Sequence, residues 1–361
     1  MAKLPYNPAN FLERFVAVEV RAAALVVVAA IAGVLSATIG DLAIHNELSN
    51  FISDVAIGGF FLLVGLELRR EIANGTLSGQ MLRIATLAAG AGMLGPALIY
   101  ITFAPVDARD GWVAVVATDI ALATAITTLG RFRPVLRTML ITVAVLDDIG
   151  GIAALATTGK SPKVLYALAT VSVVIAFAWS IRKFNFGEFY TITACALTVY
   201  LMLRSGLHPS LGAFAIGMVV PHFDPDNPSV AERVEERLHP WIAAVFLPIF
   251  VFLHTLVPLR IPGGAPASLV LITAIAVLIG KTVGIGGTLF LVRRRFEIYP
   301  SEALAVGLAS AAAMTVALIG VAASIRGTQY VEVVSLGVLA ATAIAFVLGI
   351  FAGRLRGEST G

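Results

Sequence analysis

The sequence predicts an all-α polytopic membrane protein with twelve transmembrane helices and both termini in the cytoplasm. Three observations predict it. Of 361 residues, 58% are hydrophobic and 13% charged, whereas a soluble domain carries about 25% charge. Apolar runs repeatedly approach or exceed 18 residues, the length of a membrane-crossing helix. Basic residues alternate between rich and poor loops, as they do when cytoplasmic loops collect Lys and Arg.

The twelve runs are Ala17–Gly40, Asp54–Leu68, Ile84–Val106, Gly111–Gly130, Thr138–Gly159, Val164–Ile181, Phe189–Leu203, Ser205–Pro221, Pro240–Leu259, Ala267–Val292, Ala303–Ile325 and Val333–Gly353. The first exceeds a signal-peptide apolar region and further spans follow, so it reads as an uncleaved span. The second, seventh and eighth are short; flanking polar residues or a small tilt complete them. With the N-terminus inside, the inside segments hold 18 basic residues, among them Arg69, Arg70, Arg131, Arg133, Arg233, Arg237 and Arg293 to Arg295. The outside loops hold six: Arg109, Lys160, Lys163, Arg204, Arg260 and Arg326. Omitting one span would scramble this alternation, so the asymmetry supports the count as well as the orientation.

The longest non-apolar loop, 222–238, separates spans one to eight (about 17–221) from spans nine to twelve (about 240–353). No stretch is polar and long enough for a soluble domain, so residues 1–361 read as one integral membrane domain. The excess of 25 Lys and Arg over 22 Asp and Glu needs no nucleic-acid partner, because the bilayer accounts for it. The single cysteine, Cys195, excludes an internal disulfide and reads as a small apolar filler.

Four ionisable residues lie near the middle of their spans: Asp119, Asp147, Asp148 and Lys281. Each would cost roughly 2.5–3.5 kcal/mol at a helix centre facing lipid, so residues of this kind mark functional sites by default. They must face one another, water or a cation. Three acids against one base leave an excess of two negative charges, which a cation or protons would fill. Asp147 and Asp148 are about 100° apart on a helix, so both can border one cavity. Adjacent buried carboxylates favour holding a proton and titrate as a pair. Carboxylate oxygens also suit small hard cations, so protons and a cation can compete for the pair. The alternative is a buried ion-pair lattice that only orients helices.

The local sequence around these acids favours interrupted helices. Thr118 precedes Asp119, and Ala or Thr dominates the ten residues that follow. Gly150 and Gly151 come just after the acidic pair. Non-helical backbone at depth is tolerated where it lines a cavity, and small residues allow close helix approach. Ordinary helix packing would use the same residues.

The blocks FFLLVGLELRREIANGTLSG, GWVAVVATDIALA, AVLDDIGGI, SGLHPSLGAFAIGMVVP, RVEERLHPW and LIGKTVGI resemble, in that order, the NhaA-type sodium/proton antiporters. The resemblance spans about residues 45 to 350. It implies inverted repeats with discontinuous helices crossing at the midplane, a homodimer and a bacterial inner-membrane location. It also implies a monovalent cation substrate, no cofactor and a secondary transporter rather than an enzyme. By the same resemblance, Asp148 is the principal carboxylate for Na⁺ or Li⁺ and for the proton, and Asp147 is its neighbour, paired with Lys281. Thr118 and Asp119 sit at a broken fourth helix, where Asp119 compensates helix-end charge. Glu67 and Glu71 lie at the cytoplasmic end of span two. Glu235, Glu236, His239 and His208 belong to, or stand at, the positions of the pH response.

Several segments depart from the family pattern. Span eleven reads LASAAAMTVALIG, alanine-rich where a glycine-rich break is usual. Alanine favours a continuous helix, so either the second break is in question or packing makes it. His254 replaces a small residue; it is either a new titrating group or a packing residue. Glu236 stands where a histidine is common.

The reading is therefore antiport of Na⁺ or Li⁺ against protons, electrogenic and pH-regulated, serving pH homeostasis. A sodium-coupled solute symporter is the alternative, and it would need a larger cavity. A cation channel would need no proton counterflow. An intramembrane aspartyl protease fits poorly, because its acids come from separate helices with signatures that are absent here.

Overall fold

The computed structural model describes residues 8–40, 47–73, 79–158, 163–184, 186–205, 209–221, 229–259, 261, 263–325 and 327–355. Among them there are helices and loops but no strand. The first helices are α1 (Pro8–Ile39), α2 (Glu47–Ala73) and α3 (Gly79–Phe103). A 3₁₀ segment, Val106–Val115, precedes α4 (Ile120–Leu129). Then come α5 (Pro134–Thr158), α6 (Val164–Lys183), α7 (Glu188–Ser205) and α8 (Ser210–Val219). The second part holds α9 (Val230–His254), α10 (Ser268–Phe296), α11 (Pro300–Ser310), α12 (Thr315–Ser324) and α13 (Val331–Arg354). Among the described residues, six helices are long and apolar enough to cross a membrane: residues Phe51–Arg70 of α2, and α3, α6, α9, α10 and α13.

The apolar runs fall on these helices, with four differences. First, α1 begins at Pro8, well before the expected Ala17. Second, residues 230–238 of the expected loop are helical. Ser229 and Glu232 form a reciprocal capping box, with Glu232 N–H on Ser229 Oγ at 3.2 Å and Ser229 N–H on Glu232 Oε2 at 2.9 Å. That arrangement satisfies two donors that a helix start leaves open, and the helix then runs on into span nine. Residues 222–228 lie outside the described set.

Third, span five is not interrupted at Gly150 and Gly151; α5 is continuous through both. A Cβ at Gly150 would lie 2.5 Å from Met93 Sδ, so this glycine seats α3 against α5. Fourth, span eleven is interrupted despite its alanines. Residues 311–314 leave the helix between α11 and α12, just as residues 116–119 do before α4.

Helix α3 packs along both α5 and α10, and α13 packs along α10 and α11. The α3–α10 crossing is very close. A Cβ at Gly280 would fall 2.5 Å from Pro96 Cα, and one at Gly284 would strike the Ala91 carbonyl. Lys281 lies between these glycines, with a π-helical turn on each side, Ala276–Gly280 and Thr282–Gly286. Such π turns are rare and often mark functional sites. The crossing therefore fixes both the depth and the direction of the lysine.

Candidate ion-binding site

The site is built where the two interruptions meet. Asp119 caps α4: its backbone is extended and its Oδ1 accepts the Leu122 N–H at 3.0 Å. An acid at a helix N-terminus satisfies an open donor and complements the helix dipole. The Asp119 N–H donates to Ala312 O of the other interruption at 2.8 Å, and Thr118 Oγ1 lies 2.9 Å from Ser310 O. From α13, Thr342 Oγ1 donates to Ala313 O at 2.5 Å and accepts the Ala313 N–H at 3.2 Å. Ser310 to Ala313 are fully buried, so each of these bonds replaces one that water cannot supply. Partners on other helices thus compensate for the helical bonds lost in an alanine run.

Lys281 reaches this junction from α10. Its Nζ donates to Asp147 Oδ2 at 2.8 Å and to Thr118 Oγ1 at 2.7 Å. Thr118 Oγ1 is also 2.9 Å from Asp147 Oδ2. All three residues have zero exposure. A hydroxyl has one hydrogen, so Thr118 serves either Asp147 or the Ser310 carbonyl at a given moment. Asp147 Oδ1 is buried and has no hydrogen-bond partner among the described residues. An unpaired buried acceptor costs about 1–3 kcal/mol. This oxygen is therefore open to a proton or a small hard cation.

The structure brings Thr118, Asp147 and Lys281 into hydrogen-bond contact, with Asp119 next to Thr118 at the start of α4. The backbone of Asp148 follows Asp147 on α5, but its side chain lies outside the described set. The same holds for the side chain of Glu71 on α2, and for the whole of His208. Among the described residues, no cluster of three or more His, Cys, Asp or Glu could hold a metal ion.

Of the expected pH-response residues, Glu67, Glu235, Glu236 and His239 lie at the Arg-rich end, apart from the junction. Arg70 Nη1 on α2 donates to both oxygens of Glu235 at 2.9 Å each, and Glu235 is 9% exposed. Glu236 is exposed, while His239 and Glu67 are half-buried. Glu188, just before the expected span seven, accepts from Arg233 Nε at 3.2 Å and pairs with Arg237 at 3.0 Å. A hydrogen bond from its own backbone, then the Arg233 bond, hold its carboxyl below the usual glutamate range.

Sequence reasoning missed the arginine partners of Glu235 and Glu188, and the supporting Ser310 and Thr342. It also missed a bidentate pair between Arg133 and Glu302. The proline at the start of α11 with an acid in its first turn was a usable signal for Glu302 as a cap, but not for its arginine. His254 stacks on Phe250 with ring centroids 4.1 Å apart, and its Nδ1 is 2.9 Å from Phe250 O. That geometry is local packing within α9.

The sequence matches the family described as Na⁺/H⁺ antiporter 1 over residues 23–352. It is 31% identical over 326 residues to the Na(+)/H(+) antiporter NhaA of Enterobacter sp. (strain 638), covering 88% of this chain and 76% of that protein. It is 28% identical to the Na(+)/H(+) antiporter NhaA 2 of Myxococcus xanthus (strain DK1622), covering 95% and 88%. In fold it is similar to the sodium proton antiporter MjNhaP1 from Methanocaldococcus jannaschii, with a TM-score of 0.61 over 97% of each chain at 10% identity.

Proposed function

The chain belongs to the Na⁺/H⁺ antiporter 1 family and is a multi-pass membrane protein; from that premise we propose that it exports Na⁺ or Li⁺ in exchange for protons. The observation that carries this reading is the buried Thr118–Asp147–Lys281 cluster, with Asp147 Oδ1 meeting no donor among the described residues, beside two interruptions that hydrogen-bond to each other. A cation and protons compete for Asp148 and the adjoining Asp147. When the cation arrives, its charge competes with the Lys281 ammonium for Asp147. When protons arrive, the carboxylates lose the charge that held the cation. Asp119 keeps the N-terminus of α4 from presenting a bare positive end to the ion.

Two titrating sites exchanging against one monovalent ion move net charge, so the exchange is electrogenic. Access alternates as one bundle rocks against the other around the fixed site. The proposal includes twelve spans as inverted repeats, cytoplasmic termini, a homodimer and a bacterial inner-membrane location. It also places the pH response at Glu67, Glu71, Glu235, Glu236 and His239, near the Arg-rich end, together with His208 at the start of span eight. Family membership favours exchange over solute symport.

The test is dissipation of a pH gradient in everted vesicles when Na⁺, Li⁺ or K⁺ is added, for wild type and Asp148→Asn. Wild type should respond to Na⁺ or Li⁺, and the variant should not. Equal responses would remove Asp148 from the mechanism. Exchange indifferent to an imposed voltage would remove electrogenicity.

A further inference from the structure

The two interrupted helix pairs are tied together twice. At the centre the ties are Asp119 N–H to Ala312 O and Thr118 to Ser310 O. From there α4 runs to Leu129 at the Arg-rich end, while α11 starts at that end, at Pro300, and runs back to the centre. The second tie joins those outer ends. Arg133 Nε and Nη2 each donate to one oxygen of Glu302 at 2.7 Å. Nη2 also donates to Glu297 O at 2.9 Å. Glu302 Oε2 accepts the Tyr299 N–H at 2.9 Å, so the carboxylate caps α11 while it holds the arginine. Glu302 is only 5% exposed.

This geometry is more than a surface ion pair. Two parallel N–H···O bonds fix orientation as well as distance, which a lysine could not do. Both connected loops carry a non-glycine residue in the left-handed region, Arg131 at φ 55° and Glu297 at φ 51°. Such residues persist where surrounding bonds over-determine them. The loop holding Arg133 leads directly into α5, which carries Asp147. Helix α13 follows the same plan: Thr342 holds Ala313 at the centre, and Arg354 Nε donates to Leu129 O at 3.0 Å at the outer end.

We infer that Arg133 and Glu302 are positioning residues: their clamp makes α4, α11 and the start of α5 one rigid body that keeps the two interruptions in register through the exchange cycle. The inference rests on the exchange reading, and its test separates the two. The double variant Arg133→Cys/Glu302→Cys is built on Cys195→Ala, which removes the native thiol. Without cross-linker, the apparent KM for Na⁺ should rise about tenfold, equivalent to about 1.4 kcal/mol, with the maximal rate within about twofold. A short bifunctional thiol reagent should restore the KM while exchange continues.

Three results overturn the clamp: a wild-type KM before cross-linking, a KM that stays high after complete cross-linking, or cross-linking that arrests exchange. The last would mean that the outer ends must separate. If the cysteine pair does not accumulate, Arg133→Lys keeps the charge and loses the fork. It should raise KM by about threefold, and an unchanged KM overturns the clamp. Failure of the exchange reading is seen separately, as a Cys195→Ala parent with no Na⁺ response. Cross-linking yield then still reads the rigid body: it should be the same with and without Na⁺ and at acidic and alkaline pH, and a yield that varies overturns it.

Discussion

Asp147 at the centre and Glu235 and Glu302 at the Arg-rich end are all buried acids bound by a cation, but they are bound differently. Each glutamate has both oxygens on an arginine. Asp147 has one oxygen shared between Lys281 and Thr118, while its other oxygen meets no donor among the described residues. A saturated pair can be held or broken. An unsaturated one can also exchange its partner. The cation types follow the same division. The Arg133 guanidinium fork fixes orientation, whereas the lysine ammonium is a compact point charge that another monovalent cation can displace.

The largest effect expected from this difference is at Lys281. Lys281→Met leaves the Asp147 charge buried without its partner, which should cost about 3–5 kcal/mol. Adding Asp147→Asn removes that charge too, and the double variant should recover most of the stability without recovering exchange, because a buried ion pair is often dispensable for folding. Thermal unfolding in detergent and vesicle exchange read the two quantities. Exchange by the double variant would refute the central site, and a single variant as stable as wild type would refute the burial argument.

A smaller effect is expected at Thr342, where the two interruptions themselves differ. The first carries its own polar residues, Thr118 and Asp119, and the sequence alone pointed to it. The second is alanine, which intrinsically favours helix, and the sequence left the break open, to be made by packing if at all. It is broken because Asp119 N–H, Thr118 and Thr342 supply bonds from elements far away in the chain. Thr342→Val should therefore cost about 1–3 kcal/mol by leaving the Ala313 groups unsatisfied. Thr342→Ser should cost much less. Equal melting points for the two variants would mean that the break needs no help from α13.

Sequence legibility follows the same physics. Charges inside apolar runs are costly enough to stand out, so the amino-acid order alone groups Asp119, Asp147 and Lys281 at one depth. Loop charge set the expected orientation. Tertiary pairing left no comparable mark: Arg133 and Glu302 are 169 positions apart, and each looks like an ordinary loop or cap residue. The capping box at Ser229 and Glu232 is a local signal that the polarity of the surrounding segment hides, because so polar a stretch reads as a loop.

Thr118 sharpens the comparison further, since its hydroxyl lies between the unsaturated acid and the second interruption and can donate to either one. Thr118→Val keeps the side-chain volume and removes that connection. It should raise the apparent KM for Na⁺ about tenfold and move the pH profile, equivalent to about 1–1.5 kcal/mol for one lost hydrogen bond. Thr118→Ser should stay close to wild type. Identical profiles for the two variants would show that the hydroxyl has no part in exchange.

The smallest effect belongs to Glu188, where the saturated side of the comparison meets solvent. Its carboxyl is held below the ordinary glutamate range, first by its own backbone and then by Arg233. A depressed folded-state pKa gives stability that is fully present above the ordinary glutamate value and is lost as pH falls through the lowered value. Glu188→Gln should therefore flatten the acidic limb of thermal stability while leaving the neutral-pH exchange rate unchanged. The shift should be a small one, since exposed ion pairs contribute little to stability. An unaltered acidic limb would mean that the arginines beside Glu188 are neighbours without energetic consequence. A large change in exchange would move the boundary between the two kinds of acid away from the central junction and onto the Arg-rich end.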